Sequence, residues 1–145
     1  RDLIVTGVQT CALPISLEFY GKNLGLTFQI ADDALDYNSE LKLFGKEIGN
    51  DFYEGKITLP VILLYQKANQ DEKEDLKKFF EKKDRSENEF NHILILIKKY
   101  NIINECYRKA EHFINLASNS LSIFKESREK EILKNLTSFS LERSF

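Results

Sequence analysis

Residues 28–60 read FQIADDALDYNSELKLFGKEIGNDFYEGKITLP, and they restrict the fold more than any other stretch. Three carboxylates, Asp32, Asp33 and Asp36, interrupt a largely apolar run. Helical spacing sets Asp32 and Asp36 four apart and Asp33 and Asp36 three apart. Gln29 falls one turn earlier, so all four share one face. Like charges at that spacing destabilise an isolated helix by roughly 0.2–0.5 kcal/mol per pair. Asn38-Ser39 predicts a helix end just beyond, where the negative pole of the macrodipole opposes the acids again. A bound cation offsets that repulsion. The plainer alternative is a solvated acidic helix end. Phe28, Ile30, Ala31 and Leu35 argue against it, because apolar residues on most sides of a helix mark a buried one.

The donor set selects the cation. Hard oxygen ligands with no neighbouring His or Cys favour Mg²⁺ over Zn²⁺. Mg²⁺ takes a few carboxylates together with waters and phosphate oxygens. Lys46 and Lys56 follow in a loop, 38–57, punctuated by Gly45, Gly49 and Gly55. Lysine binds phosphate as a point charge, so an acidic helix and a basic loop together suit a Mg²⁺–diphosphate pair. Asp51 and Glu54 stand ready as partners for the lysines or the metal. A calcium loop built on Asp36, Asn38, Glu40 and Glu47 competes on ligand spacing. It fails at its sixth position, where the sharp turn needs Gly and the chain has Leu41.

F-Q-I-A-D-D-A-L-D followed by G-K-E-I-G-N-D-F-Y-E-G-K-I-T-L-P resembles the second aspartate-rich region of the trans-isoprenyl diphosphate synthases, or polyprenyl synthetases, of the bacterial octaprenyl type. The tail, with A-S-N-S-L-S-I-F, is similar to the end of the same family, so the resemblance covers residues 17–145. It implies an all-α fold, here only the C-terminal helices of the isoprenoid-synthase bundle. It implies Mg²⁺ as cofactor, and allylic diphosphate and isopentenyl diphosphate as substrates of a head-to-tail condensation. On the same resemblance Asp32 is a direct metal ligand, and Asp33 and Asp36 act directly or through water. Gln29, Lys46 and Lys56 hold the diphosphate, and Lys46 joins the aspartates in catalysis. Full-length members of the family are usually homodimers. The family's first aspartate-rich motif, its arginines and an upstream Lys-Thr pair do not occur here, so the expectation is half an active site, inactive alone. Two alternatives stay open: a non-catalytic helical module that binds metal or a partner, and a terpene-cyclase-like enzyme. The T-L-P loop and the two lysines disfavour the cyclase.

The remaining chain reads as helical packing. Residues 1–16, RDLIVTGVQTCALPIS, lack the Lys/Glu/Asn/Ile character of residues 17–145 and resemble a translated sequencing-adapter peptide. We treat them as a non-native segment outside the fold; Val-Thr-Gly-Val and Leu-Pro-Ile read there as strand and turn. A buried helix is expected from Leu17, with Gly21 and Gly25 explained by a closely packed neighbour. Thr58 and Pro60 start a helix to about Ala68, and Asn69-Gln70-Asp71 breaks it. A surface helix over 72–83 carries Leu76, Phe79 and Phe80. Ser86 with Glu89 forms a capping box for a helix to Tyr100. The next runs from Asn101 to about Phe124, with Ile102, Ile103, Cys106, Ala110, Phe113, Ile114, Ala117 and Leu121 inward. A last helix from about Ser127 carries Ile132, Leu133, Leu136 and Phe139.

Charge and cysteine usage narrow the function classes. A net charge of −2 gives no reason to expect nucleic acid. Two distant cysteines, Cys11 and Cys106, exclude a disulfide framework and fit a reducing compartment. His92 and His112 have no ligand partners at useful spacing. No run is long enough to span a bilayer, and the expected location is cytoplasmic.

Overall fold

Helix α1 runs from Leu3 to Asp36, further back than the sequence predicts. The computed structural model describes residues 3–39 and 47–142, with side chains from 11 to 140. The strand-and-turn reading of the first sixteen residues is corrected by this helix. Each Val or Thr costs a helix only a few tenths of a kcal/mol. Once a helix is nucleated, every added residue contributes one further hydrogen bond. Pro14 lies inside the helix without ending it. Four of the residues around it, Cys11, Ala12, Leu13 and Ile15, are exposed, so this part of α1 covers no core.

Six further helices lie wholly among the described residues: α2 (Asn50–Glu54), α3 (Leu59–Lys67), α4 (Gln70–Glu81), α5 (Glu87–Lys99), α6 (Ile102–Ser120) and α7 (Arg128–Glu142). A 3₁₀ turn, Leu121–Ile123, ends α6. No strand occurs among the described residues, so the fold is all-α as expected. Two compact units emerge: residues 1–29 with 109–145, and residues 30–108.

In the first unit Tyr20 and Leu24 of α1 pack against Ile114, Ala117 and Leu121, with Phe28, Phe124 and Leu133 at the edge. Polar side chains tie the elements together. Tyr20 donates its hydroxyl to the Leu133 carbonyl at 2.9 Å, and Thr27 donates to the Ala110 carbonyl at 3.3 Å. The inward residues of α6 are those expected, although Ile103 and Phe113 are only half-buried. α7 departs from expectation. Ile132, Leu136 and Phe139 are exposed, whereas Lys130, Thr137 and Ser140 are buried. Lys130 is satisfied there by the Phe124 carbonyl at 2.7 Å and the Glu126 carboxylate at 2.6 Å, so its charge stays paired when covered.

Gly21 and Gly25 of α1 face no close neighbour among the described residues. A Cβ built at Gly21 or Gly25 meets nothing within 4 Å, which corrects the idea of a neighbour pressed against them.

The second unit is organised by aromatic rings. Phe52 of α2 stacks on Phe90 of α5 at 5.5 Å and meets Phe80 of α4 edge-on at 5.6 Å. Tyr37 closes on Phe90 at 6.1 Å. Such pairs add about 0.5–1.5 kcal/mol each beyond area burial. The Ser86–Glu89 capping box forms as read. Asn69, taken from sequence as a breaker, is the N-cap of α4 and closes a second capping box with Glu72. An Asn does both, because its side chain competes with the helix before it and satisfies an orphan N–H of the helix after it.

Candidate functional site

Two glycines frame the short helix at the centre of the site. Gly49 precedes α2 at φ 89° and Gly55 follows it at φ 77°, a region L-residues avoid. Gly49 also lies flat against Phe90, where an added Cβ would come within 2.5 Å of the ring. The chain is thereby turned so that the first N–H groups of α2 point back at the end of α1.

Asp36 receives them. Its Oδ1 accepts from the N–H groups of Gly49 and Asn50 at 3.0 Å each, and its Oδ2 from Asp51 at 2.8 Å. The Asp36 carbonyl also accepts from Gly49 N–H at 2.8 Å. Here a carboxylate satisfies donors that a helix start leaves orphaned. Its charge also faces the positive end of that helix.

The other acids are placed differently. Asp32 is exposed and makes no hydrogen bond or ion pair to another described residue, whereas Asp33 is 8% exposed and interacts with its surroundings. Behind them Tyr37 is buried with its hydroxyl beside Thr58 Oγ1, and neither atom has a hydrogen bond of good geometry. Burial first, then the charges of Asp36 and Asp51, push the Tyr37 phenol far above its ordinary range. It stays protonated at any physiological pH.

Lys56 emerges directly after Gly55. Its backbone N–H is fixed to the Asp51 carbonyl at 2.8 Å. Its ammonium reaches Glu54 at 2.6 Å and Asp51 at 3.4 Å while the side chain stays 58% exposed. Those acids raise its pKa, the Glu54 hydrogen bond most of all. Asp51 and Glu54 are thus the partners of this lysine. Lys46 lies outside the described residues. Gln29 is exposed on α1.

Among the described residues no three His, Cys, Asp or Glu side chains converge on a point that would hold a metal. Asp36 is engaged by backbone donors, which leaves Asp32 as the exposed carboxylate with no partner among the described residues. That donor chemistry still fits Mg²⁺, which needs only one or two carboxylates and completes its octahedron with water and phosphate oxygens. It does not fit an all-protein cage such as a calcium loop requires. Sequence reasoning missed the backbone N–H groups that Asp36 receives and the helix it caps. The signal was present as Gly-Asn-Asp at positions 49–51, a turn followed by donors that need an acceptor.

Comparison with known proteins bears on the family and the fold. The polyprenyl synthetase family model matches residues 3–97. The all-trans-nonaprenyl-diphosphate synthase (geranyl-diphosphate specific) of Rhodobacter capsulatus is 31% identical over 127 residues, covering 88% of this chain and 38% of that protein. The octaprenyl diphosphate synthase of Haemophilus influenzae is 28% identical, covering 90% of this chain and 39% of its own length. Among solved structures, a decaprenyl diphosphate synthase from Rhodobacter capsulatus superposes with TM-score 0.84 at 30% identity, covering 92% of this chain and 41% of that one. A polyprenyl synthase from Caulobacter crescentus, complexed with calcium and isoprenyl diphosphate, gives TM-score 0.77 at 33% identity, with 90% and 40% covered. The chain spans about two-fifths of the length of these relatives. No helix among the described residues is long and apolar enough to cross a membrane.

Proposed function

The chain belongs to the polyprenyl synthetase family, and from that premise we propose that it supplies one half of a prenyltransferase site, for condensing isopentenyl diphosphate with an allylic diphosphate. The observation that carries this reading is the division of labour among the aspartates. Asp36 holds the turn at residues 49–51, and Asp32 is left exposed one turn away.

Asp32 would hold Mg²⁺, with Asp33 behind it contributing through water. The metal, when bound, supplies positive charge that stabilises the departing diphosphate. The chain's own groups do the rest. Lys56, presented from a fixed turn, exchanges its contacts with Glu54 and Asp51 for diphosphate oxygens and keeps them as negative charge builds on the leaving group. Lys46 and Gln29 would add a second cation and an amide donor. Asp36 holds the turn at residues 49–51 and would reach the metal directly or through water. The allylic carbon loses its diphosphate, the isopentenyl double bond attacks it, and loss of a proton completes the new C5 unit. No nucleophilic side chain takes part.

Aspartates on one helix cannot enclose a diphosphate, so we expect this chain alone to make no polyprenyl diphosphate. The assay is radiolabelled isopentenyl diphosphate with an allylic primer and Mg²⁺, followed by lipid extraction. Turnover above a no-protein control would refute the half-site reading. In the complete enzyme, Asp32→Ala is expected to lower the rate about 10²-fold or more, the scale of losing one transition-state interaction, and Asp75→Ala to leave it near wild type. Steady-state kinetics giving equal effects would refute the assignment of Asp32. The proposed family activity fits a cytoplasmic enzyme and a homodimer in the full-length state.

A further inference from the structure

Arg85 lies in the charged linker between α4 and α5, where the sequence offers no reason to single it out. In the structure it is the most heavily engaged cation of the second unit among the described residues. Its Nε donates to the Phe79 carbonyl at 3.0 Å and its Nη2 to the Phe80 carbonyl at 2.9 Å. Both acceptors lie in the last turn of α4, where carbonyls have no partner within the helix. Nη1 reaches across to the carbonyl of Tyr53 in α2 at 3.3 Å, and to Lys83 at 3.5 Å. The guanidinium carbon sits 5.6 Å from the centre of the Phe80 ring. The same group fills the space over Gly55: a Cβ there would fall 2.6 Å from Nη2 and 2.9 Å from the guanidinium carbon.

The C-terminal end of α2 and the C-terminal end of α4 are thus joined through one planar cation, at the residue before Lys56. Lysine could not make the same join. An ammonium is a single point with three donors, whereas the guanidinium fork addresses several acceptors in fixed directions. The left-handed turn at Gly55 has two supports: the α2 carbonyls of Asp51 and Phe52, which accept from Lys56 and Gly55, and the Arg85 side chain.

We propose that Arg85 is a positioning residue for Lys56. It clamps the Gly55 turn against the end of α4, so that the lysine meets a diphosphate from a fixed backbone. This rests on the reading of Lys56 as a diphosphate ligand. The proposal adds a residue outside the aspartate–lysine motif, twenty-nine positions further along the chain than the lysine it serves.

The test uses the ¹⁵N-labelled chain, wild type and with Arg85→Gln or Arg85→Lys. Amide hydrogen exchange reads the clamp, because local opening is resolved residue by residue. Titration with Mg²⁺ and inorganic diphosphate, followed at the Lys56 amide, reads its purpose. With Arg85→Gln, exchange at Gly55 and Lys56 is expected to quicken about tenfold or more, with α5 amides such as Ile93 and Leu96 unchanged. The diphosphate Kd is expected to rise several-fold, with the response at Asp32 to Mg²⁺ alone unmoved. Arg85→Lys is expected to recover only a small part of either effect. Unchanged exchange at Gly55 and Lys56 overturns the clamp. Acceleration spread evenly over α4 and α5 also overturns it, since that marks a contribution to stability alone. A wild-type chain whose Lys56 amide ignores Mg²⁺ and diphosphate overturns the assignment of Lys56 itself, and the positioning role falls with it.

Discussion

A carboxylate that accepts three backbone N–H groups has most of its roughly four lone-pair sites engaged before any metal arrives, and this separates Asp36 from Asp32. Hydrogen bonds to a charged acceptor are worth roughly 1.5–3 kcal/mol each in favourable cases, and a helix start left without its acceptor loses more than one of them. Asp36→Ala is therefore expected to destabilise the chain by about 2 kcal/mol. Asp32→Ala touches no described partner and should stay within about 0.5 kcal/mol of wild type. Urea denaturation of the two variants checks this, and equal losses would mean that Asp36 is not the loop's anchor. The sequence made the three acids legible as one cluster on one helix face. It did not show which of them receives the N–H groups of residues 49–51. That choice depends on where residues 49–51 return, a matter of backbone path set by Gly49 against Phe90. Lys56 was legible for the opposite reason: its acidic partners, Asp51 and Glu54, lie within five residues of it.

At the scale of elements, the helix ends carry most of the local information. Ser86 and Glu89 were readable as a capping box because both members stand at fixed spacing before an apolar run. Asn69 and Glu72 have the same spacing, but the run after them is polar, so only the break was visible. In the structure Glu72 does more than cap α4. It accepts from Lys99 at 2.7 Å and from the Tyr100 hydroxyl at 2.6 Å, which joins α4 to α5. The hydrogen bond from Lys99 first, then those from Tyr100 and the Asn69 N–H, bring its carboxyl down from 4.5 to about 2. Between those values the unfolded chain binds more protons than the folded one, so stability rises with pH through that window. The contribution is complete above about pH 4.5 and is lost as pH falls through about 2. Glu72→Gln should flatten the acid limb of the stability curve, as followed by circular dichroism at a series of pH values. A limb of unchanged slope would show that the Lys99 and Tyr100 contacts do not persist in solution. α1 offers the reverse case, an element with removable cost. Gly21 and Gly25 sit in helical, open positions, so alanine at either should raise stability by about 0.5–1 kcal/mol. The same change at Gly49 meets both a positive φ and the Phe90 ring and should be strongly destabilising. Thermal melts of the three variants separate these outcomes.

For the molecule as a whole, the question is what the exposed apolar side chains do in a chain that spans two-fifths of its relatives' length. Sequence reading made Phe28, Ile30 and Leu35, beside the aspartates, part of a buried helix. The structure buries Ile30 and half-buries the other two. Exposed apolar residues occur in both units: Ile15, Leu17, Phe19 and Leu26 on α1 and Ile132, Leu136 and Phe139 on α7 in the first, and Ile57, Ile62 and Ile95 in the second. Periodicity could not reveal this, because it shows that a helix has an apolar face without showing whether the partner for that face is present. On α7 the residues at 132, 136 and 139 follow the i, i+4, i+7 spacing of a single face. Single exposed apolar residues are ordinary on a protein surface, but a contiguous row of them drives association. The chain is therefore expected to self-associate, with a weight-average mass that climbs above 16.9 kDa as concentration rises. Sedimentation equilibrium measures this directly. Replacing Leu136 and Phe139 together by lysine should return the mass towards that of the monomer without loss of helicity, because neither side chain is buried. If the double variant associates as strongly as the wild type, the contact surface is not α7, and the exposed residues of α1 (Ile15, Phe19, Leu26) and of the second unit (Ile57, Ile62, Ile95) become the surfaces to mutate next.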